Sequence, residues 1–371
     1  MTDASARLRK EATFSKLKKI LVAMSGGVDS SACAKLLKSQ GNICIGATML
    51  LHSGGDAKCS GLKDAKDAKR VCDLLEMPHH VSDFSSYFEE FVIDNFIKSY
   101  ENGATPNPCI ECNCHLKFDK LFDMAAELGC DFVATGHYAK VEYDEKYGRC
   151  VLKKGKNEKK DQSYVLYRIS RENLQKTLFP LGDFDTKDEV RALLGDIDLD
   201  ISRKKDSQDI CFVPDGDYAK FIENYTKKTY PVGDFVTKDG KFLGKHKGII
   251  RYTIGQRKGL GLALPHSMYV CQKKLDKNEV VIGENEDLFS RELWASEVNL
   301  TAIDSIDEPI RVRAKVRYNQ SEKDAWARME NGLLHVIFDE GQRAICKGQS
   351  VVLYDGDTVL GGGIISKTEL E

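Results

Sequence analysis

The chain has 371 residues and a formal net charge of −2, with 42% hydrophobic and 30% charged residues. This composition is typical of a globular protein, and the length allows two or three domains. With a net charge this close to zero, the overall electric field says nothing about binding of nucleic acid. An RNA surface would therefore need local basic patches, for which residues 153–160 and 241–258 are candidates.

No secretory or membrane segment is predicted. The apolar run at residues 20–24 is too short for either, and residues 1–17 form a polar N-terminal extension. In such a chain the twelve cysteines are expected to be mostly reduced thiols rather than disulfides. We therefore expect a cytoplasmic protein without membrane contact.

The first half of the chain alternates predicted strands and helices. Strands are predicted at residues 18–24, 43–50, 79–81 and 131–135, and helices at 30–41, 61–76 and 115–128. Repeated β-α-β units with apolar strands predict an α/β fold with a doubly wound parallel sheet. Ligands of such sheets bind at the carboxyl ends of the strands.

The composition changes after about residue 215. Glycines are frequent at residues 233–261, and from about residue 290 the sequence alternates with period two, ending in a predicted hairpin around Gly356. We predict a catalytic domain at 18–215, a small mixed central domain at 216–289 and a C-terminal antiparallel β-barrel at 290–371.

A glycine-rich loop, Ser25-Gly26-Gly27, joins the first strand to the first helix. Glycines allow close backbone approach, and a helix N-terminus offers unpaired N–H groups to an anion. The loop lacks the lysine of a Walker P-loop, and Asp29 stands where Mg²⁺ or a helix cap would use it. An ordinary strand–helix turn is the alternative to a phosphate-binding loop.

Two cysteines, Cys109 and Cys112, follow a proline-rich stretch, and a third, Cys211, lies about a hundred residues later. We expect the prolines to exclude a helix at this point and to hold both thiols on a rigid turn before a helix N-terminus, which favours thiolate. Three interpretations of the cysteines remain open. In the first, they are ordinary core residues, which fits Cys33, Cys44, Cys72 and Cys130. In the second, Cys109 and Cys112 bind zinc, with Cys114 or Cys211 as a further ligand. In the third, a thiol of this pair and the thiol of Cys211 carry a transferable sulfur atom as a persulfide.

The motifs SGGVDS at 25–30, TPNPCIECN at 105–113 and SQDICF at 207–212 together resemble the tRNA-specific 2-thiouridylase family of the ATP pyrophosphatase superfamily. Similar segments span nearly the whole chain. The resemblance implies an adenine nucleotide alpha hydrolase-like catalytic domain, followed by a barrel that holds the tRNA arm. It also implies ATP-dependent 2-thiolation of the wobble uridine, in which the C2 oxygen is adenylated and then replaced by sulfur.

The resemblance also implies roles for individual residues. Cys112 matches the nucleophile, and Cys211 matches the carrier of the persulfide. The ATP-binding positions are Ala23, Met24, Ser25, Gly26, Gly27, Val28, Asp29, Ser30, Met49 and Gly136. The positions that touch the target base are Asn107, Pro108 and Cys109. The tRNA-contacting positions are His137, Lys160, Asp161, Gln162, Arg317, Tyr318 and Gln349.

The implied cofactors are ATP and Mg²⁺, and the implied partners are tRNA and a sulfur donor, namely a cysteine desulfurase, a sulfur-relay protein or free sulfide. Part of the family has aspartate at the position of Cys109, as a candidate acid/base. With cysteine there, Cys109, Cys112 and Cys211 could instead ligate a 4Fe-4S cluster. Residues 200–215 are the expected closing segment.

Two rival functions remain. The chain could be another adenylating ligase with the same loop, such as an amidotransferase-type or lysidine synthetase, which needs no paired thiols. It could also be a zinc-stabilised RNA-binding protein that consumes no ATP.

Overall fold

A computed structural model describes residues 17–51, 61–195, 210–213, 215–264 and 266–370. The predictions for residues 1–16 and for most of the segment 200–215 fall outside these ranges. Within them, no helix combines the length and the apolar character needed to cross a membrane.

Strands and helices alternate in the first half, and strands dominate the second. The strands are β1 (Lys19–Ala23), β2 (Ile43–Leu50), β3 (His79–Asp83), β4 (Phe132–Ala134), β5 (Ala139–Asp144), β6 (Arg149–Lys154), β7 (Thr177–Leu178), β8 (Gly233–Val236), β9 (Phe242–His246), β10 (Tyr269–Lys274), β11 (Glu279–Gly283), β12 (Phe289–Leu300), β13 (Ile310–Lys315), β14 (Lys323–Glu330), β15 (Leu333–Arg343), β16 (Ser350–Asp355) and β17 (Thr358–Thr368). The α-helices are α1 (Val28–Ser39), α2 (Leu62–Leu74), α3 (Ser85–Phe88), α4 (Asp94–Glu101), α5 (Pro108–Glu111), α6 (Leu121–Glu127), α7 (Arg171–Leu174), α8 (Lys187–Ala192) and α9 (Tyr218–Thr226).

The first sheet has the order β3-β2-β1-β4-β7, and all its pairs are parallel. Both β1 and β4 are almost completely buried, because α1 and α2 pack on one face while α4 and α6 pack on the other. The predicted doubly wound parallel sheet is confirmed. The carboxyl ends of β1 and β4 lie side by side, since Ile20 and Val22 pair with Phe132 and Ala134.

The helix with the paired cysteines begins earlier than predicted. The sequence predicted a helix over 115–128, but α5 begins at Pro108 and continues as a π-helical segment (Cys112–Lys120) into α6. Pro108 occupies the first helical position, where a missing N–H costs nothing, and Asn107 caps the helix by accepting from Cys109 N at 3.2 Å. The prediction that the prolines exclude a helix here was wrong.

The second half forms a four-stranded sheet and a barrel. The four-stranded sheet has the order β10-β11-β8-β9, with β8 and β11 parallel. The antiparallel barrel runs β12-β15-β14-β13-β16-β17 and closes where β17 pairs with β12. Its sheet continues into the β5-β6 hairpin through the pair Thr358 and Lys153, so the first half of the chain adds two strands to it.

The hydrophobic core is continuous across the predicted boundary at residue 215. One cluster contains Phe96 of α4, Cys112, Phe212 and Phe235 of β8. The thiol-bearing helix is therefore packed between the parallel sheet and the central sheet.

Candidate active site

The glycine-rich loop connects β1 to α1 with a geometry suited to an anion. Gly26 has φ +67°, and a Cβ there would clash with Asp64 O of α2. The Ser30 hydroxyl accepts from Ser25 N and donates to Gly27 O, both at 3.2 Å. No side chain from the described residues caps α1, so amides of its first turn stay available to a phosphate.

The carboxylate of Asp29 lies in the first turn of α1 and does not cap the helix. Its Oδ1 accepts from Tyr138 OH at 2.7 Å and pairs with Lys187 Nζ of α8 at 2.5 Å. Gly136 packs directly against this turn, because a Cβ on it would lie 2.7 Å from Asp29 C and 2.9 Å from Ser30 N. The structure thus brings Gly136 and the phosphate loop together.

Met24, directly after β1, and Met49, on the adjacent strand β2, face opposite sides of the sheet. The backbone of Met24 is held by β2, since its N–H donates to Ala47 O and its carbonyl accepts from Thr48 Oγ1, both at 2.7 Å. Met24 belongs to the core cluster under α1, whereas Met49 belongs to the cluster that contains Cys112. Met49 therefore lies on the thiol side of the sheet.

The segment Pro108–Lys120, which we call the thiol helix, is fixed by a buried ion pair. Glu111, only 8% exposed, pairs through Oε1 with Arg168 Nη1 at 2.6 Å. Arg168 also pairs through Nη2 with Glu297 Oε2 of β12 at 2.8 Å. Since Glu111 stands between Cys109 and Cys112, this arginine ties the thiol-bearing turn to the barrel.

Cys109, Cys112 and Cys211 lie near enough to influence the pKa of one another, and we call these three residues the thiol centre. Burial raises the pKa of Cys112 to about 12, Lys117 opposes the shift, and the charges of Cys211 and Cys109 add to it. The pKa of Cys109 is also raised, and the largest cause is desolvation of the thiol by surrounding protein atoms, although the residue as a whole is exposed. The charge of Lys117 opposes this shift, and that of Cys211 adds to it. Burial therefore opposes the thiolate that the helix N-terminus was expected to favour at one or both of these cysteines.

Phe212 anchors Cys211 in this position. Its ring makes edge contacts with Phe88 and Phe96, at centroid distances of 5.7 and 5.1 Å, and is fully buried. Because Cys211 precedes Phe212, it is carried to the surface of the same core cluster that contains Cys112. The preceding residues 196–209, with the first half of the SQDICF motif, lie outside the described ranges.

Cys114 is separated from the thiol centre. Its thiol donates to Arg168 O at 3.9 Å and lies within 4.8 Å of a side-chain ligand atom of both His115 and Asp119. It therefore does not complete a zinc site with Cys109 and Cys112. The cysteines expected in the core behave as such, since Cys33, Cys44 and Cys72 are buried and Cys130 is half-buried.

The positions matched to tRNA contacts fall into two groups, one at residues 137–162 and one in the barrel. His137 and Asp161 are buried: His137 Nδ1 bonds Thr135 Oγ1 at 2.7 Å, and the Asp161 carboxylate accepts from Gly155 N and Ser163. Gln162 accepts from Tyr138 N at 2.9 Å, and Lys160 is half-buried.

Two of the tRNA positions in the barrel, Tyr318 and Gln349, lie near the start of the thiol helix. Tyr318 is near enough to Cys109 for a Cys109 thiolate to raise its pKa, after the larger effects of burial and Asp161. Arg317 donates to Ala344 O and, at 3.1 Å, to Cys346 Sγ. Gln349 Nε2 donates to Thr105 O at 2.8 Å, just before the thiol helix.

Comparison with known proteins gives consistent matches along the chain. The family model described as "tRNA methyl transferase HUP domain" matches residues 18–215, the "tRNA methyl transferase PRC-barrel domain" matches 219–284, and the "Aminomethyltransferase beta-barrel domain" matches 290–365. The tRNA-specific 2-thiouridylase MnmA of Clostridioides difficile (strain 630) is 49% identical, covering 95% of this chain and 99% of the relative. The chain belongs to this family.

A second thiouridylase, from Acetivibrio thermocellus, is 47% identical and covers 94% of this chain and 99% of its own. The solved structure titled "U34-tRNA thiolase NcsA from Methanococcus maripaludis with its 4Fe-4S cluster" is 19% identical over 60% of this chain and 71% of its own. Its TM-score of 0.33 is too low to support an inference about the thiouridylase site.

Four residues that support the thiouridylase site were missed as site residues from the sequence: Lys117, Arg168, Lys187 and Phe212. Phe212 ends the SQDICF motif, and Lys117 lies four residues after the TPNPCIECN motif; this proximity to the motifs was the available signal. Arg168 and Lys187 act through partners more than fifty residues away, which no local pattern reveals.

Proposed function

We propose that this chain catalyses ATP-dependent 2-thiolation of the wobble uridine of tRNA. One observation carries the proposal: the phosphate loop and the thiol centre are joined by direct contacts. Gly136 packs on Asp29, the adjacent His137 lies 6.0 Å from the Phe118 ring, and Phe118 belongs to the thiol helix. An adenylation site at the loop and a sulfur-transfer site at the thiol helix would therefore be neighbours.

The first step activates an inert oxygen. The C2 oxygen of uridine attacks the α-phosphorus of ATP, pyrophosphate leaves, and the base carries AMP on that oxygen. Residues 23–30 would bind the phosphates through the amides of the loop and of α1. Asp29 would hold Mg²⁺, which when bound neutralises charge on the leaving pyrophosphate. The C2 oxygen can then depart as part of AMP, a stable phosphate monoester, which is a far better leaving group than hydroxide.

The second step delivers sulfur. The Cys112 thiolate attacks the inner sulfur of a Cys211 persulfide, which forms the Cys112–Cys211 disulfide and releases hydrosulfide. Hydrosulfide attacks C2 and AMP departs, or the persulfide itself attacks C2 before Cys112 resolves it. Either path leaves one disulfide, which an external thiol must reduce before the next turnover. The grouping of the three thiols supports this assignment.

Recognition of the substrate would use both halves of the chain. Asn107, Pro108 and Cys109 stand at the start of the thiol helix, where a flipped-out base could meet them. Extrusion of the base costs about a few kcal/mol, and less in a single-stranded anticodon loop. Lys160, Gln162, Arg317 and Tyr318 are proposed tRNA contacts. We further propose a cytoplasmic location, with a desulfurase, a relay protein or free sulfide as donor.

An iron–sulfur version of the same reaction is the second candidate, and the donor set fits it. Cys109, Cys112 and Cys211 would supply three thiolates, and a 4Fe-4S cluster so held would have one iron open to bind hydrosulfide. Analysis of iron and acid-labile sulfide in anaerobically purified protein distinguishes the two versions. Equal, stoichiometric amounts support the cluster, and their absence supports the persulfide route.

The proposal is tested with unmodified tRNA transcript, ATP, Mg²⁺ and a sulfide source. Nucleoside mass spectrometry should detect 2-thiouridine, and pyrophosphate should form in equal amount. Cys112→Ser and Cys211→Ser should lose thiolation but still release pyrophosphate, because adenylation does not use the thiols. Cys150→Ser, a half-buried cysteine of β6, is the matched control and should keep activity.

Two results would contradict the proposal. If no pyrophosphate forms with tRNA, the adenylation step is wrong. If both cysteine variants retain full activity, the chain is an adenylating ligase of another kind. Stoichiometric zinc without ATP consumption would instead indicate the zinc-stabilised RNA-binding protein.

A further inference from the structure

A second group of potential metal ligands lies on the thiol helix, beyond the thiol centre. Cys114, His115 and Asp119 each offer one ligand atom, and these atoms all lie within 4.8 Å of one another. In a tetrahedral zinc site with thiolate, imidazole and carboxylate ligands, the ligand atoms are about 3.3–3.6 Å apart. Closure around an ion therefore needs a contraction of roughly 1 Å, which rotation of the side chains can supply.

The π-helical backbone brings two of these ligands to one side of the helix. Cys114 and Asp119 are five residues apart in the segment Cys112–Lys120. In an α-helix they would lie about 140° apart around the axis, whereas i→i+5 hydrogen bonding places them on the same side. His115 is four residues before Asp119, and its Nδ1 lies 3.9 Å from Asp119 Oδ2. An ion bound to all three would in turn favour the π-helical form.

His115 is already oriented as a metal ligand would be. Its ring stacks on Phe91, with a centroid distance of 4.8 Å and an interplanar angle of 19°. Its Nδ1 faces Asp119, while its Nε2 lies 3.4 Å from Glu111 Oε2. The other oxygen of Glu111 is held by Arg168 Nη1 at 2.6 Å. A carboxylate on the second ring nitrogen is the usual partner of a zinc-bound histidine, because it fixes the tautomer and raises the basicity of the ligating nitrogen.

The charges and the exposure of the group suit a divalent cation. The side chains of His115 and Asp119 are 29% and 51% exposed, so an ion can enter from solvent. Binding would replace the proton of the Cys114 thiol, which passes to water, and thiolate and carboxylate would then oppose the two positive charges. Arg168, the cation beside Cys114, is itself paired with Glu111 and with Glu297 of β12.

We propose that Cys114, His115 and Asp119 bind one Zn²⁺ ion, with water as the fourth ligand. A thiolate and an imidazole select zinc over Mg²⁺ and Ca²⁺, which prefer oxygen ligands. The ion would fix the π-helical register of the thiol helix, starting two residues after Cys112. The inference does not rest on the proposed function, because its ligands are none of the residues assigned to ATP, sulfur or tRNA.

Zn²⁺ binding to the full-length protein tests the inference, after removal of metal by a chelator under anaerobic, reducing conditions. A variant with serine at positions 109, 112 and 211 lacks the thiol centre as a competing site. It should still bind one Zn²⁺ per chain, measured by competition with a chromophoric chelator. Co²⁺ in place of Zn²⁺ should give a thiolate-to-metal charge-transfer band. In this background, Cys114→Ser should abolish the band and weaken Zn²⁺ binding more than tenfold.

Two further variants test the other ligands. His115→Phe keeps a ring for Phe91 to stack on but has no nitrogen, and Asp119→Asn changes a half-exposed side chain without disturbing the core. Each should also weaken Zn²⁺ binding at least tenfold. The matched controls are Cys150→Ser and Asp123→Asn, which removes an exposed acid paired with Lys120, and both should bind Zn²⁺ as the background does.

Thermal unfolding gives an independent measurement. Zn²⁺ should raise the unfolding midpoint of the background variant, and this rise should disappear with Cys114→Ser, since a ligand stabilises only the folded state that binds it. In the otherwise unchanged chain, Cys114→Ser should lower the zinc stoichiometry by one. The inference is wrong if Cys114→Ser leaves affinity, stoichiometry and the rise in midpoint unaltered. Zinc bound here together with ATP-dependent thiolation fits both proposals, whereas zinc without ATP consumption contradicts the proposed function alone.

Discussion

Lys187 Nζ lies 2.5 Å from Asp29 Oδ1, which joins α8 to the first turn of the phosphate-binding helix. The lysine side chain is only 14% exposed and that of the aspartate is 35% exposed. The acid expected to hold Mg²⁺ is therefore paired with a largely buried lysine. The ammonium group of Lys187 would then stand beside the phosphates of a bound ATP.

Replacement of this lysine should weaken ATP binding. In Lys187→Met, Asp29 keeps its charge without a counter-charge, and the phosphates lose a nearby cation. We expect the dissociation constant for ATP in the presence of Mg²⁺ to rise about tenfold, or about 1.4 kcal/mol, measured by calorimetry. Lys187→Arg should recover part of the affinity. Lys176→Met is the control, because it removes only an exposed ion pair with Glu172. Equal affinity for ATP in Lys187→Met and Lys176→Met would contradict a role of Lys187 at the phosphates.

A methyl group at Gly136 should disturb the same site sterically. In Gly136→Ala, the new Cβ would lie 2.7 Å from Asp29 C, a backbone atom that cannot move without shifting α1. We expect a loss of about 1–3 kcal/mol in unfolding free energy and weaker nucleotide binding. Gly195→Ala is the matched control, because its nearest neighbour would be Ala192 O at 3.5 Å. Normal ATP binding in Gly136→Ala would show that the close approach is not needed.

The phosphate loop and the parallel sheet were predictable because their signals are local. Position 26 requires glycine because its φ is positive and its backbone packs closely against α2. The strand β2 spans residues 43–50, the bounds predicted from their apolar run. The start of the thiol helix was not predicted, because Pro108 was interpreted as a helix breaker although proline is favoured at the first helical position.

Long-range relationships could not be predicted. Thr358 pairs with Lys153, and this contact adds the β5-β6 hairpin to the barrel sheet across two hundred residues of sequence. The desolvation of Cys112 is likewise invisible in the sequence, because it depends on Phe88, Phe96 and Phe212 packing around one cluster. The sequence therefore predicts which residues carry the chemistry, but their electrostatic states depend on tertiary burial.

The ion pair between Arg168 and Glu111 should be a strong stability determinant of the thiol helix. Arg168→Met leaves the carboxylate of Glu111, 8% exposed, without its cation. We expect a loss of about 3 kcal/mol in unfolding free energy, measured by urea denaturation, because an unpaired buried charge remains. The double variant Arg168→Met with Glu111→Gln should recover part of this loss. A double variant as unstable as the single one would show that the pairing itself is unimportant.

Lys117 should set the ionisation of the thiol centre. Lys117 lies five residues after Cys112 on the π-helical segment. In a π-helix, i→i+5 hydrogen bonding brings residues five apart onto the same side of the helix, whereas an α-helix would place them about 140° apart around its axis. Lys117 is the cation that opposes the raised pKa of both Cys112 and Cys109. With the pKa of Cys112 at about 12, its thiolate fraction should rise about tenfold per pH unit through the neutral range. The sulfur-transfer rate should rise with it.

Removal of that cation should therefore slow the reaction of Cys112 with iodoacetamide at fixed pH. In Lys117→Met the pKa of Cys112 rises further, so fewer thiolates are present and peptide-mapped alkylation should fall several-fold. Cys271, half-buried and with a pKa raised by burial to about 11, is the internal reference and should react unchanged. Lys120→Met, which removes a pair with Asp123 in the same segment, is the matched variant. Local unfolding would expose Cys112 and accelerate alkylation, so a faster or unchanged rate in Lys117→Met would contradict the prediction.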